Sequence, residues 1–141
     1  MEKVSEKIVC NLIGLNMERM YRVQNARQLV PDDKRKKFLL VLEAQSEGFI
    51  MELEYVLRMY GGAVADAASK TLYDIDVNSD VNKSEQSVFL FLLQHEQQDI
   101  KTYESLLAEG DGLDNNLFEK IRAQKSELQE SELKLKEVIG A

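Results

Sequence analysis

Four blocks of apolar residues, each repeating at spacings of three and four positions, constrain the fold of this 141-residue chain more than any other feature. Such spacing places the apolar side chains of a block on one face of a helix. The blocks predict helices over about 5–30, 33–60, 83–109 and 114–139. A chain of this length is expected to form one domain, here spanning residues 1–141 with an all-α fold.

Short helix-breaking sequences separate these blocks in pairs. The Pro-Asp-Asp sequence at 31–33 ends the first helix and caps the second, because proline cannot continue a helix and aspartate accepts hydrogen bonds from free N–H groups. The Gly-Gly sequence at 61–62 ends the second helix, and Gly-Asp-Gly at 110–112 ends the third. The tight turns predict that helices one and two, and helices three and four, form antiparallel hairpins.

The two hairpins are joined by a long connection over residues 63–82. Its first part, residues 63–72, is rich in alanine and is expected to form a short helix. A connection of this length can run the full length of a helical bundle, whereas an up-down-up-down order needs only short loops. The sequence therefore favours an antiparallel four-helix bundle with one long crossover between helices two and three.

Charge and composition exclude several classes of partner. The net charge of −7 argues against a nucleic-acid-binding surface, which needs a basic patch, and we interpret the basic run at 34–37 as a solvated helix end. There is no signal-peptide core and no apolar run long enough for a membrane span. Cys10 is the one cysteine and cannot form an intramolecular disulfide, which fits a reducing compartment. We predict a cytoplasmic protein with neither nucleic acid nor membrane as a partner, in which Cys10 is a half-buried structural thiol.

Four short segments resemble a known family. The second helix contains Gln-Ser-Glu-Gly-Phe-Ile-Met-Glu-Leu at 45–53, and the third contains Glu96 followed by Ile-Lys-Thr-Tyr-Glu at 100–104. The Tyr-Arg pair at 21–22 and the Gly-Gly break at 61–62 add weaker similarity. Together these segments resemble a family of uncharacterised bacterial ferritin-like four-helix domains. The resemblance implies a ferritin-like fold and descent from carboxylate-bridged metal proteins, and the family has no established activity to transfer.

A ferritin-like di-iron site requires a ligand motif that this sequence lacks. Such sites take a Glu from each of two helices and a Glu-x-x-His from each of the other two. The only histidine is His95, and the residue three positions before it is Leu92. We therefore predict no cofactor, and we interpret His95 as a boundary residue with one hydrogen bond. The tyrosines are expected at the edge of the bundle with hydroxyls in water; they are Tyr21, Tyr55, Tyr60, Tyr73 and Tyr103.

A polar residue or pair interrupts the apolar face of each predicted helix at a similar depth. These positions are Arg19, Gln45 with Ser46, Glu96 and Gln124. A buried carboxylate without a partner is costly, so we predict a buried Arg19–Glu96 ion pair in a polar layer that fixes helix register. The alternative is that Glu96 survives from a ligand set and still binds a metal or a small polar ligand.

A second candidate site lies at the end of the long connection. Residues 74–85 (Asp-Ile-Asp-Val-Asn-Ser-Asp-Val-Asn-Lys-Ser-Glu) follow most of the EF-hand calcium-loop pattern, with oxygen-bearing side chains at alternate positions and a final glutamate. Ser79 stands where the sharp turn of that loop requires glycine. The alternative, which we favour, is a polar turn in which Asn82 caps the third helix and Glu85 completes a capping box.

Two classes of function remain from the sequence. The first is a non-enzymatic protein that self-associates or binds another protein, and the acidic surface and missing ligands favour it. The second is a carboxylate-bridged iron or manganese oxidoreductase, or an iron-handling protein, with an irregular ligand set, which the family resemblance favours. A third hypothesis gives the alanine-rich segment at 63–72 the role of a partner-binding surface.

Overall fold

The computed structural model describes residues 3–59, 84–110 and 113–140, with side chains from Ser5 onward. These residues form four helices and no β-strand, so the all-α prediction is confirmed for this part of the chain. The helices are α1 (Lys3–Gln28), α2 (Asp33–Met59), α3 (Glu85–Ala108) and α4 (Asn115–Gly140).

Several of the predicted features lie outside the described residues. They are the Gly-Gly break at 61–62, the last two residues of the Gly-Asp-Gly break at 110–112, the connection at 63–82 with its expected short helix at 63–72, and the calcium-loop pattern except for Ser84 and Glu85. Among the helices that the structure describes, none is both long and apolar enough to cross a membrane.

The ends of α1 and α2 follow from local hydrogen bonds. The N–H groups of Leu29 and Val30 donate to carbonyls only three residues earlier, at 2.9 and 3.4 Å, so the chain tightens and α1 ends before Pro31. Asp32 caps α2 as predicted, because its Oδ2 accepts a hydrogen bond from the backbone N–H of Arg35 at 2.8 Å.

The predicted cap of α3 is wrong in its residues. The N-cap is Ser84 and not Asn82, since the Ser84 Oγ accepts a hydrogen bond from the backbone N–H of Ser87 at 3.1 Å. Glu85 is the first helical residue, and its Oε2 accepts a hydrogen bond from Nη1 of Arg35 on α2 at 2.6 Å. Glu85 therefore ties the start of α3 to the start of α2 instead of closing a capping box.

The core consists of two apolar clusters. The first cluster joins the N-terminal part of α1, the C-terminal parts of α2 and α3, and the N-terminal part of α4, and it includes Leu12, Leu53, Ile100 and Ile121. The second cluster joins the opposite ends of the same helices and includes Val23, Leu39, Phe89 and Leu135. Helix α1 packs most extensively on α2, and α3 on α4, with further contacts between α1 and α3 and between α2 and α4.

A zone of buried polar side chains separates the two clusters. On α1 it begins after Ile13 and ends before Val23, and on α3 it lies between Leu92 and Ile100. On α2 it lies between Leu42 and Phe49, and on α4 between Leu128 and Leu135. The apolar clusters therefore hold the helices together at both ends, whereas hydrogen bonds between polar side chains connect them in the middle.

Two glycines give a matched test of this packing. A Cβ added to Gly48, in the interior of α2, would meet no atom within 4 Å, whereas one added to Gly110 would lie 2.5 Å from Cδ1 of Leu113 and 3.2 Å from the carbonyl oxygen of Leu107. We expect Gly48→Ala to raise the free energy of unfolding by roughly 0.5–1 kcal/mol, because glycine weakens a helix interior. Gly110→Ala should lower it. Urea unfolding at about 1 µM protein measures both changes, and a stabilising Gly110→Ala would contradict the packing described here.

Candidate functional site

The centre of the polar zone is the guanidinium of Arg19, whose side chain is 1% exposed. Its Nε donates to Oε1 of Glu96 at 2.8 Å, and its Nη2 donates to Oε2 of the same carboxylate at 2.9 Å. This two-point geometry is the strong form of an arginine–carboxylate pair. It joins α1 to α3 through charges that are both removed from water.

The remaining donors of Arg19 reach α2. Nη1 donates to the Oγ of Ser46 at 2.8 Å and to the carbonyl oxygen of Leu42 at 3.3 Å, and Nη2 donates to Oε1 of Gln45 at 2.7 Å. A guanidinium carries five N–H donors. All five are used, so the buried cation is fully satisfied by acceptors on two other helices, α2 and α3.

The network continues to α4 by two routes. In the first, the Oγ of Ser131 donates to the same Gln45 Oε1 at 3.1 Å. In the second, Ser46 Oγ donates to Oδ1 of Asn16 at 3.2 Å, and Nδ2 of Asn16 donates to the Tyr103 hydroxyl at 2.8 Å. That hydroxyl donates in turn to Oε1 of Gln124 at 2.7 Å. The polar layer therefore connects all four helices.

The structure brings the five residues singled out from the sequence into one network. Arg19 contacts Glu96, Gln45 and Ser46 directly. Gln124 does not reach Arg19; it joins the network through the Tyr103 hydroxyl, and its Nε2 donates to the carbonyl oxygen of Phe49 at 3.4 Å.

Three members of the network are not predicted from the sequence: Asn16, Tyr103 and Ser131. For Tyr103 the predicted environment is wrong. Tyr103 was expected to hold its hydroxyl in water, but its side chain is 0% exposed, and burial raises the pKa of that hydroxyl well above its ordinary value. Asn16 and Ser131 are not among the predicted residues of the layer. Asn16 lies one turn before Arg19 on the same face of α1, which is the signal that would have found it.

The other residues considered from the sequence are the remaining tyrosines, the single histidine and the single cysteine. Tyr21 is half-buried and Tyr55 is exposed, whereas Tyr60 and Tyr73 lie outside the described residues. His95 is half-buried, with its ring centroid 4.4 Å from that of Phe91. Cys10 is half-buried and packs against the first cluster.

A second buried ion pair lies beside the first. Nη1 of Arg22 lies 3.2 Å from Oδ2 of Asp99, again between α1 and α3. Burial raises the pKa of Asp99 to about 6, and the Glu96 charge adds to this shift, whereas Arg22 and Arg19 oppose it. Loss of hydration therefore outweighs the attraction of the nearby guanidinium groups at this carboxylate.

The residues of the layer do not fit a di-metal centre. Both oxygens of Glu96 accept hydrogen bonds from Arg19, and the guanidinium occupies the space beside the carboxylate with a charge that repels a metal cation. Across the described ranges, no group of three or more histidine, cysteine, aspartate or glutamate side chains is placed to hold a metal ion.

A surface cleft of about 620 Å³ lies where the starts of α2 and α3 meet the end of α4. Its charged lining mixes both signs, with Lys34 and Arg35 beside Glu85 and Glu137. Arg35 is already paired with Glu85, and its Cζ lies 6.0 Å from the centroid of the Phe89 ring. This lining favours neither an anion nor a cation, so the cleft does not define a ligand class.

Comparison of the chain with protein-family models, with curated proteins and with solved structures finds no match in any of the three. A functional proposal therefore depends on the residues themselves and on their geometry.

The Arg19–Glu96 pair can be tested by a double-mutant cycle. Arg19→Met and Glu96→Leu should each lower the free energy of unfolding by about 3–5 kcal/mol, because each leaves an unpaired charge in the core. The double variant should lose less than the sum, with a coupling energy of about 2–3 kcal/mol from urea unfolding. The exposed pair Arg122–Glu119, with N and O 3.5 Å apart, is the control and should show almost no coupling. Additive losses at Arg19 and Glu96 would contradict the buried pair.

The raised pKa of Asp99 predicts a dependence of stability on pH. Between about pH 4 and pH 6 the folded chain holds a proton on Asp99 that the unfolded chain has lost, so this group's contribution to stability falls as the pH rises. A shift from 3.8 to about 6 corresponds to roughly 3 kcal/mol. We expect the stability of the wild-type chain relative to Asp99→Asn to fall by roughly that amount between pH 4 and pH 7. Urea unfolding at both pH values measures it, and a relative stability that rises with pH would show that Asp99 is ionised far below pH 6.

Proposed function

We propose that this chain is a non-enzymatic, ferritin-like antiparallel four-helix bundle that acts by self-association or by binding another protein. In this proposal, the network around Arg19 fixes the register of the helices where a metal-binding relative would hold a di-metal centre.

The composition of the two apolar clusters supports the bundle arrangement. The N-terminal parts of α1 and α4 share a cluster with the C-terminal parts of α2 and α3, which is the pattern for α1 and α4 running one way and α2 and α3 the other. In this arrangement the end of α2 and the start of α3 lie at opposite ends of the helices. A helix as long as α2 measures about 40 Å, and the intervening residues are numerous enough for a crossover of that length.

The non-enzymatic interpretation rests on one observation: both carboxylate oxygens of Glu96 accept hydrogen bonds from Arg19. An active site offers a reacting group, or a ligand atom, that substrate or metal can reach. Here both carboxylate oxygens are held by Arg19, the pair is almost fully buried, and every Arg19 donor has an acceptor. A buried polar network in which each member is satisfied rigidifies a core and favours one packing arrangement over others.

The proposed compartment and partner class rest on the charge and composition of the chain. The net charge of −7 disfavours nucleic acid as a partner, and one cysteine in 141 residues suits a reducing, cytoplasmic environment. A protein surface is the partner class that remains.

Metal analysis separates this proposal from the alternative of an iron or manganese oxidoreductase or iron-handling protein. The full chain is expressed with iron and manganese supplied, purified without chelators and analysed by mass spectrometry of the elements. We expect far less than one metal ion per chain, because Arg19 holds the carboxylate that a metal would need.

Two variants make the result specific. Glu96→Ala removes the buried carboxylate, and Glu104→Ala removes an exposed one on the same helix. Iron or manganese near stoichiometry that is lost in Glu96→Ala and kept in Glu104→Ala would overturn the proposal in favour of the metal-dependent alternative.

A further inference from the structure

Helix α2 carries a second apolar face that points away from the core. Four large apolar side chains on it are more than half exposed: Val41 (61%), Met51 (64%), Tyr55 (63%) and Met59 (65%). Together with neighbouring residues that are smaller or less exposed, they repeat at helical spacing and form one stripe along α2. We call this stripe the outer face. The outer face consists of Leu40, Val41, Ala44, Gly48, Met51, Tyr55 and Met59.

An apolar stripe on both sides of a helix is the pattern of a helix with neighbours on both sides. The core already covers the inner side of α2, where Leu39, Leu53 and Leu57 are completely buried. Elsewhere in the described residues, the other large exposed apolar side chains are the single residues Leu90 on α3 and Leu133 on α4, which form no stripe. The outer face is therefore a distinct apolar surface that the described residues leave uncovered.

Gly48 gives the outer face a point of close approach. It lies in the middle of α2, where glycine weakens a helix, and a Cβ placed on it would meet no atom within 4 Å. Packing within the described chain therefore does not explain the glycine. Together with Ala44, one turn earlier, it leaves a flat spot on which the backbone of another helix fits closely.

The charges of α2 indicate which helix packs against the outer face. The first part of α2 holds four cations at 34–37, and its later half holds the carboxylates of Glu47, Glu52 and Glu54 with the single cation Arg58. Two α2 helices in antiparallel orientation would bring the basic end of each beside the acidic part of the other. Parallel helices would oppose the two basic runs. One helix thus carries both halves of a complementary surface, as a two-fold symmetric contact requires.

We propose that a second copy of this chain covers the outer face, with the two α2 helices antiparallel about a two-fold axis between Ala44 and Gly48. This inference rests on the proposed function, of which it specifies the partner and the surface. In this register Ala44 lies level with Gly48 of the second copy, and Lys37 lies level with Tyr55 of the second copy. The Lys37 ammonium then meets an aromatic ring and the carboxylate of Glu54.

The size of the contact sets the expected affinity. The helix has 27 residues and is about 40 Å long, and a single pair of such helices buries an area at the low end of specific interfaces. Like net charges on the two copies oppose association. We therefore expect a dimer with a dissociation constant in the micromolar range, visible as a mass that rises with concentration.

Sedimentation velocity of the full chain, from about 1 to about 200 µM, tests the surface. Met51→Glu should raise the dissociation constant at least 30-fold, because it places a carboxylate in the apolar stripe. The matched control is Leu133→Glu, since Leu133 is 59% exposed on α4 and lies outside the outer face, and it should leave the constant unchanged.

Three outcomes would overturn the inference, and they separate it from the proposed function. A wild-type chain that stays monomeric throughout overturns the second copy as partner and leaves binding to a different protein. A dimer that Met51→Glu does not weaken shows self-association through another surface. A lower melting temperature of Met51→Glu, at a concentration where the wild type is monomeric, shows that the chain covers the face itself. None of these three results bears on the metal content, which tests the absence of a di-metal centre separately.

Disulfide formation tests the orientation and the register. In a Cys10→Ser background, Lys37→Cys and Tyr55→Cys proteins are oxidised separately and as a mixture. The mixture should form a disulfide-linked heterodimer, and each protein alone should not, because in the proposed register equal positions lie about 27 Å apart along the helices. Cross-linking of each protein with itself, and none between the two, would indicate parallel helices and overturn the proposed arrangement.

Discussion

The buried charge of Arg19 fixes the positions of α1, α2 and α3 relative to one another. A guanidinium out of water needs an acceptor for each of its five N–H groups, and here the acceptors come from α2 and α3. A hydrogen bond tolerates only a few tenths of an ångström, whereas sliding a helix by one turn moves its side chains by about 5.4 Å. Apolar clusters repack with modest loss when helices slide, but this network does not. We infer that the clusters supply stability and that Arg19 selects one register.

The same network limits what the buried carboxylate of Glu96 can bind. A carboxylate in a helical core is available to a metal only if its oxygens are free, and a guanidinium provides the compensating charge without needing further carboxylates. Tyr103 and Asn16 extend the hydrogen bonding from the ion pair to α4, so that neutral groups carry the network where no second charge is present. The burial of Asp99 is incompletely compensated by its neighbouring guanidinium groups, and its raised pKa reflects that.

The helices were predictable from the sequence because apolar spacing and helix-breaking residues act locally. The depth of Arg19 and Glu96 was predictable too, since a polar residue inside an apolar stripe must be buried. The role of Tyr103 was not, because a tyrosine fits both a buried and a water-exposed position and only the partner helices decide between them. The cap of α3 was misplaced for a related reason: Asn82 and Ser84 both suit an N-cap, and local chemistry alone does not choose. The outer face of α2 could not be recognised from the sequence alone, because the structure first had to show which apolar residues of α2 face the core.

The central claim is that the Arg19 guanidinium is locked by five hydrogen bonds in solution. Nuclear magnetic resonance of the arginine side-chain N–H groups tests it most directly, with the exposed Arg122 as the internal comparison. We expect separate, slowly exchanging signals for the Arg19 Nε and Nη hydrogens, because each is buried and held by its own acceptor. Rotation about the Cζ–Nε bond would break the four contacts that the Nη groups make. A single averaged, rapidly exchanging Nη signal for Arg19, like that expected for Arg122, would contradict it.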